Sequence, residues 1–278
     1  MLFPRQPRQW AGFSLDRPLV MGILNVTPDS FSDGGRRTDP RVAIEAGLSM
    51  AADGADIIDV GGETTKPGAA AVSPDQEQDR LLPVVRALAA EGICVSVDTR
   101  NAATMRAALA AGAKIINDVS GLSYDPLSIG VVASHACPVV LMHMRGTPET
   151  MNSQAVYQDV VAEVRAELLT CIDAAIQAGI RAEQIVIDPG LGFAKLSTHS
   201  QAILRGLPDL ASLGYPILIG LSRKAFIGAL SGETQADRRL GGSLAAGLFA
   251  VLRGASILRV HDVRETVQAI RVWHTLFE

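Results

Sequence analysis

Cysteine is scarce in this chain, with three residues in 278 (Cys94, Cys137 and Cys171). The number is odd, no C-x-x-C spacing occurs, and each lies in an apolar segment. A disulfide scaffold is excluded and buried reduced thiols are expected. Basic charge is not in excess either. Lys and Arg total 25 against 29 Asp and Glu, a formal net charge of −4, and no Lys/Arg cluster stands out, so the electrostatic footprint of a nucleic-acid binder is missing. The longest apolar run, residues 244–252, has about half the length a membrane helix needs. Residues 1–8 carry no apolar signal core. The expectation is a soluble, cytoplasmic protein with no nucleic-acid and no membrane partner. H-E-x-x-H, His-x-His, a P-loop and a nucleophile elbow are all absent, which removes support for zinc, nucleotide-loop and serine-nucleophile chemistry.

What is present is a repeated alternation. Apolar residues make up 48% of the chain, enough for a sizeable core. Short β-branched runs at 19–26, 56–62, 93–99, 114–120, 138–144, 184–190, 216–222 and 256–262 read as strands buried on both faces, the pattern of a parallel sheet. Helical patterns lie near 40–53, 75–91, 101–112, 126–135, 153–178, 198–213, 242–254 and 263–275. Gly54, Gly112, Gly179, Gly214 and Gly254 stand where helices would close before strands. Asp39-Pro40, Ser73-Pro74 and Ser197 mark helix starts. Eight such units predict an α/β fold, a single-domain (β/α)8 TIM barrel spanning 1–278 with its core at 19–275. A doubly wound open sheet is the alternative, but no Gly-x-Gly-x-x-Gly follows the first strand.

Each predicted strand starts apolar and ends polar: Asn25, Asp59, Asp98, Asn117, His143, Asp188, Ser222, then Arg259 and His261. In a barrel these ends converge on the face where active sites sit. Asp98, Asn117 and Asp188 together offer the acceptors and the amide that a flat, guanine-like or pterin-like edge requires. Arg259 and His261, two apart on one strand, read as paired cations that with Lys224 suit a phosphorylated ligand. Residues 223–230 fit the short extra helix that often follows the seventh strand. His143 is equally suited to packing and to ligand contact. Two Gly/Pro-rich loops, 27–38 and 63–74, carry Asp29, Asp33 and Lys66. Asn25 and Asp33 offer oxygens with which a ligand's phosphates could share Mg2+, although turn chemistry alone also accounts for the loop aspartates.

These segments resemble the dihydropteroate synthase family, the pterin-binding TIM barrels. The run Met21-Gly22-Ile23-Leu24-Asn25-Val26-Thr27-Pro28-Asp29-Ser30-Phe31-Ser32-Asp33-Gly34-Gly35 is similar to its first signature. Residues 57–68 (IIDVGGETTKPG) are similar to the second, and SVDT at 96–99, IIND at 115–118, LMHM at 141–144, DPGLGF at 188–193, SRK at 222–224 and RVHD at 259–262 follow in order. The resemblance implies an enzyme that condenses 6-hydroxymethyl-7,8-dihydropterin pyrophosphate with para-aminobenzoate, with Mg2+, to give 7,8-dihydropteroate and pyrophosphate in folate biosynthesis. It implies that Asp98, Asn117, Met142, Asp188 and Lys224 hold the pterin. Asn25, Thr65, Lys66, Arg259 and His261 would hold the pyrophosphate, and Asn25 and Asp33 the metal. Phe31, Pro67, Phe193, Lys224 and Ala225 would form the aminobenzoate pocket, with the start of the 224–230 helix facing its carboxylate. Catalysis would fall to Asp98, Lys224, Arg259 and His261. A homodimer packed through late helices is also implied, and the apolar 242–254 stretch fits that as well as it fits a buried core helix.

Three residues depart from the family pattern. Lys66 stands where Arg is usual and loses bidentate phosphate geometry. Ala194 replaces a Gly, and Ala225 replaces a Ser beside the aminobenzoate carboxylate. Two alternatives remain at this level: a pterin-binding methyltransferase barrel, and a non-catalytic pterin-binding paralogue. The Arg259/His261 pair, Lys224 and the carboxylate-bearing first loop argue against the first. Intact Asn25, Asp98, Lys224 and His261 argue against the second.

Overall fold

The computed structural model describes residues 7–27, 39–64 and 72–277. Among them, eight parallel strands close into a barrel: β3 (Leu19–Asn25), β4 (Ile57–Gly61), β5 (Val95–Asp98), β6 (Ile115–Asp118), β7 (Val139–Met142), β8 (Ile185–Asp188), β9 (Ile217–Gly220) and β10 (Ala255–Val260), with β10 pairing back onto β3. Around them run α1 (Pro40–Ala52), α2 (Pro74–Ala90), α3 (Ala102–Ala110), α4 (Ser128–His135), α5 (Val160–Gln177), α6 (Ser197–Arg205), α7 (Leu207–Ala211), α8 (Ala225–Ser231), α9 (Leu240–Leu252) and α10 (Val263–Phe277). The expected TIM barrel is therefore present. No helix among the described residues is long and apolar enough to cross a membrane.

The local signals act as anticipated at most boundaries. The Asp39 side chain accepts from the Arg41 N–H and caps α1, and Ser73 accepts from the Gln76 N–H to cap α2. Gly54, Gly112 and Gly254, with φ of +102°, +108° and +106°, end helices in a conformation that carries no Cβ penalty only for glycine. Three expectations need correction. Ser197 is the first residue of α6 and not its cap; the Leu196 N–H is taken up instead by His199 Nδ1 at 3.2 Å. The helix expected over 198–213 is broken into α6 and α7, because Pro208 cannot continue the ladder of N–H donors. The helix expected from 153 begins at Val160, after a short 3₁₀ turn at Met151–Gln154.

One element escaped the sequence altogether. β1 (Gln9–Trp10) and β2 (Phe13–Ser14) form an antiparallel hairpin whose turn residues Ala11 and Gly12 both have positive φ, as a type I′ turn requires. Two-residue strands are too short to show a period. The hairpin inserts Trp10, 2% exposed, into the lower end of the barrel, against Leu19, Met21, Ile57, Ile115, Val140, Val186, Leu218 and Ile257. Its indole N–H donates to the Gln184 carbonyl at 2.9 Å.

Strand alternation explains how the barrel is filled. Side chains two apart share a face, so Ile57 and Asp59, Ser96 and Asp98, Ile115 and Asn117, Val140 and Met142, Val186 and Asp188, and Ile257 and Arg259 all project inward. The lower member of each pair belongs to a largely apolar layer closed by Trp10; the upper member belongs to a polar one. Truncation of Trp10 to Ala should cost about 3–5 kcal/mol, read as a lowered Tm in thermal unfolding. The activity of the folded fraction should be retained, because the plug lies at the opposite end from the polar layer.

Candidate active site

Five ionisable groups meet in the upper layer. The Arg259 guanidinium lies between two carboxylates, with Nε donating to Asp59 Oδ2 at 2.6 Å and Nη2 donating to Asp98 Oδ2 at 2.7 Å. Asn117 Nδ2 donates to the same Asp59 oxygen at 3.0 Å. Asp59 is fully buried, and its Oδ1 has no hydrogen-bond partner among the described residues. Across the barrel, Asp188 accepts from the Gly190 N–H at 2.7 Å. Lys224, at the end of the loop after β9, donates to the Leu191 carbonyl and holds its Nζ 4.7 Å from the centre of the Phe193 ring. Met142 is buried in the same layer.

The charges do not balance. Asp59, Asp98 and Asp188 face two cations, Arg259 and Lys224. Burial raises the Asp98 pKa against the pull of Arg259, and Asp59 pushes it further up. Asp188 is also raised by burial, with Lys224 opposing. Lys224 is pushed down to about 8 by burial, with Asp188 pulling it back, so it is largely protonated at neutral pH. Asp98 is pushed up to about 7, and among the described residues one buried Asp59 oxygen has no hydrogen-bond partner; spare acceptor capacity of this kind in a dry site complements a ligand edge rich in N–H donors.

A Cβ on Gly61 would meet Asp98 Cβ at 3.6 Å, Asn25 Oδ1 at 3.7 Å and Asp98 Oδ2 at 3.9 Å, all ordinary contact distances. The Asn25 and Asp98 oxygens thus flank Gly61 at the mouth of β3 to β5. No group of three or more His, Cys, Asp or Glu among the described residues could hold a metal by itself. The donor set still fits Mg2+, which takes one or two protein oxygens and completes its shell from phosphates and water; Asn25 offers one such oxygen here.

His261 departs from expectation. Burial, with Arg223 and Arg259 nearby, pushes its pKa down to about 4. It is a neutral ring at physiological pH, so the expected pair of cations is corrected to one cation, Arg259, and one neutral donor. Ser222 Oγ accepts from the His261 backbone N–H at 3.2 Å and lies 3.1 Å from Nδ1. Arg259 meets Asp59 and Asp98 through Nε and Nη2.

Other expected residues fall as follows. His143 does not face the polar layer. It follows the inward Met142, so alternation turns it behind the wall, between Glu167 and Lys195. Ala194 has φ +49° and is buried, so the chain keeps a left-handed turn there without glycine. Ala225 opens α8, whose cap residue Lys224 makes no side-chain capping bond. Phe31, Asp33, Thr65, Lys66 and Pro67, with Asp29, lie outside the described residues.

Sequence reading missed the structural weight of Asp59, although an Asp inside a β-branched run at an inward position is a usable signal. It also missed the buried Glu63–Arg100 ion pair at the foot of the second loop, 3.0 Å. Glu63 Oε1 in addition accepts from the Val72 N–H at 3.1 Å, so both feet of that loop are tied together.

Comparison with known proteins gives one picture. Residues 21–261 match the family model described as pterin binding enzyme. A dihydropteroate synthase of Mycobacterium leprae is 50% identical over 259 residues, 91% of either chain. Two structures from Xanthomonas albilineans are also similar. A dihydropteroate synthase with 4-aminobenzoic acid has a TM-score of 0.90 at 48% identity, covering 99% of this chain and 98% of that one. One in complex with 7,8-dihydropteroate has a TM-score of 0.87 at 47% identity, covering 95% of each.

Behind the wall, Asp118 is fully buried and accepts from the Ser120 N–H and Oγ–H at 2.7 and 2.6 Å, with the Leu122 backbone N–H also acting on the carboxylate. Burial pushes its pKa up to about 6. An acid raised in the folded state stabilises fully below its unfolded pKa and loses that contribution as pH rises through the folded value. Asp118→Asn keeps both bonds from Ser120 and removes the titration. Its stability should therefore be flatter between pH 4 and 6, where the parent loses on the order of 3 kcal/mol, measured by urea unfolding across that range.

Proposed function

The chain belongs to the pterin-binding enzymes and, among them, to the dihydropteroate synthases, and from this premise we propose how its residues share the reaction. The reaction joins 6-hydroxymethyl-7,8-dihydropterin pyrophosphate to para-aminobenzoate, giving 7,8-dihydropteroate and pyrophosphate. The pterin enters the upper barrel layer with its N–H edge on Asp98, Asn117 and Asp188, its ring against Met142, and Lys224 at its rim. The observation that carries this is the three-carboxylate, two-cation layer, whose acceptor surplus an N–H-rich heterocycle offsets. Arg259 and the His261 ring face the pyrophosphate together with Asn25, Thr65 and Lys66. Phe31, Pro67, Phe193, Lys224 and Ala225 bound the aminobenzoate.

The chemistry follows from where charge develops. Pyrophosphate leaves a carbon attached to an electron-rich ring, so positive charge builds on the pterin and negative charge on the leaving group. Asp98 offsets the first, while Arg259 and His261 stabilise the second. Asn25 and Asp33 would hold Mg2+, which when bound would supply counter-charge for the leaving pyrophosphate. The amine then attacks the pterin carbon without a covalent enzyme intermediate, consistent with the absence of a primed nucleophile.

Pyrophosphate release from the pterin substrate tests this reading. Release should require both para-aminobenzoate and Mg2+ and stop with chelator. Tight pterin binding without release would instead favour a non-catalytic binder. Asp188→Ala should weaken pterin binding by about tenfold or more, as expected for loss of a buried acceptor worth ~1–3 kcal/mol; parent-like affinity overturns the pocket assignment.

A homodimer and a cytoplasmic location belong to the same reading. The three cysteines are free thiols, which supports the latter. α9 is apolar on every side, yet Phe249 and Leu252 on its outer face are 41% and 49% exposed. An all-round apolar helix belongs inside a larger assembly. Sedimentation should give twice the chain mass for the parent and a monomer for Phe249→Glu; a monomeric parent overturns the assignment.

A further inference from the structure

The buried amine of Lys195 has no part in the reaction as derived above. Its Nζ donates to three acceptors: His143 Nδ1 at 2.8 Å, the Phe193 carbonyl at 2.9 Å and the His143 carbonyl at 3.3 Å. Burial pulls the Lys195 pKa down to about 7; in its ammonium form the group offers one N–H to each of these three acceptors.

The segment it holds has an unusual backbone. Between Asp188 and Lys195, φ is positive at Gly190 (+65°), Gly192 (+80°) and Ala194 (+49°). A Cβ on Gly190 would lie 2.0 Å from the His143 carbonyl oxygen, so the loop passes flush against the end of β7 and only glycine fits. Lys195 grips that same carbonyl from its own position, so the loop is stapled to β7 at both ends. The segment between the staples carries the Leu191 carbonyl, which accepts from Lys224, and the Phe193 ring, which faces the Lys224 amine.

The anchor behind Lys195 is itself oriented. Glu167, held by Arg145, is an ionised acceptor whose pKa is lowered through its bonds from Arg145 and His143 despite partial burial. His143 Nε2 lies 2.8 Å from its Oε2, so Nε2 carries the ring proton and Nδ1 is left to accept from Lys195. Arg145 in turn stacks on the Tyr157 ring, 4.0 Å from its centre, and pairs with Glu163. The loop after β8 is thereby tied through Lys195, His143 and Glu167 to α5.

We propose that Lys195 is a positioning residue for the aminobenzoate half-site: by pinning the Phe193 carbonyl to the end of β7 it holds the Phe193 ring at the distance from Lys224 at which the two receive the aromatic acid. The inference rests on the reading of Phe193 as a wall of that pocket. Lys195 itself touches no reacting atom.

Steady-state kinetics on Lys195→Met and Phe193→Ala, with 15N-histidine NMR on the parent, provide the test. Lys195→Met keeps the length of the side chain and removes its donors. The KM for para-aminobenzoate should rise on the order of tenfold, the scale of one lost hydrogen-bonded placement, with the KM for the pterin pyrophosphate moving less than about twofold. Phe193→Ala should raise the same KM. The parent's His143 should carry its proton on Nε2 with a hydrogen-bonded Nδ1, a readout that does not depend on any variant folding. An unchanged aminobenzoate KM in Lys195→Met, when Phe193→Ala raises it, overturns the proposal and leaves the pocket standing. A parallel rise of both KM values in Lys195→Met overturns it as well, as general loosening. A His143 proton on Nδ1 overturns the anchor. No effect from Phe193→Ala removes the pocket reading, and the proposal with it.

Discussion

The site is organised around one guanidinium shared by two buried carboxylates. Arg259 reaches from β10 across the barrel to Asp59 on β4 and Asp98 on β5, and through Asp59 it orients Asn117 on β6. Four strands thus meet in a single polar cluster inside a closed barrel. Desolvating these charges costs several kcal/mol per ion, and removing one partner leaves the other buried and uncompensated, at a cost of about 3–5 kcal/mol. The apolar layer below, closed by Trp10, keeps water from that end of the cluster and fixes where the polar residues begin.

The same shortage of positive charge links stability to function. Among the described residues of the layer Asp59, Asp98 and Asp188 face Arg259 and Lys224, with Lys195 also acting on Asp188, and burial still holds the Asp98 and Asp188 pKa values up. A ligand that presents N–H groups to these oxygens relieves that condition. A site tuned this way is under-satisfied by itself, and completion by substrate gives binding energy that a self-neutral layer could not offer. His261 contributes a hydrogen-bonding ring and no charge, because burial and two neighbouring arginines keep it neutral.

Much of this was legible from particular residues. Asp98, Asn117 and Asp188 each end an apolar run at an inward position, so period-two alternation and the convergence of strand ends in a barrel place them together without any coordinate. Helix boundaries at Asp39, Ser73 and Gly54 follow from local capping chemistry. Asp59 was visible as a polar strand-end residue, but not as the acceptor that binds Arg259 and Asn117, since 200 residues separate it from Arg259. Trp10 gave no signal, because a two-residue strand has no period. Lys195 carries no signal in the sequence; its burial depends on the loop folding back onto β7. His143 shared the composition of a strand-end residue and was turned to the other face by a single position of register.

What the sequence by itself determined is the eight strand–helix units, their order and the polar upper layer, because helix caps, glycine closures and strand alternation are local and act within a few residues. Its motif series also carried the family. Only the tertiary structure decided which charges pair, which histidine is neutral, what plugs the barrel and which lysine holds the loop after β8. Those outcomes depend on desolvation and on distances between residues far apart in the chain, and both come into being only when the barrel closes.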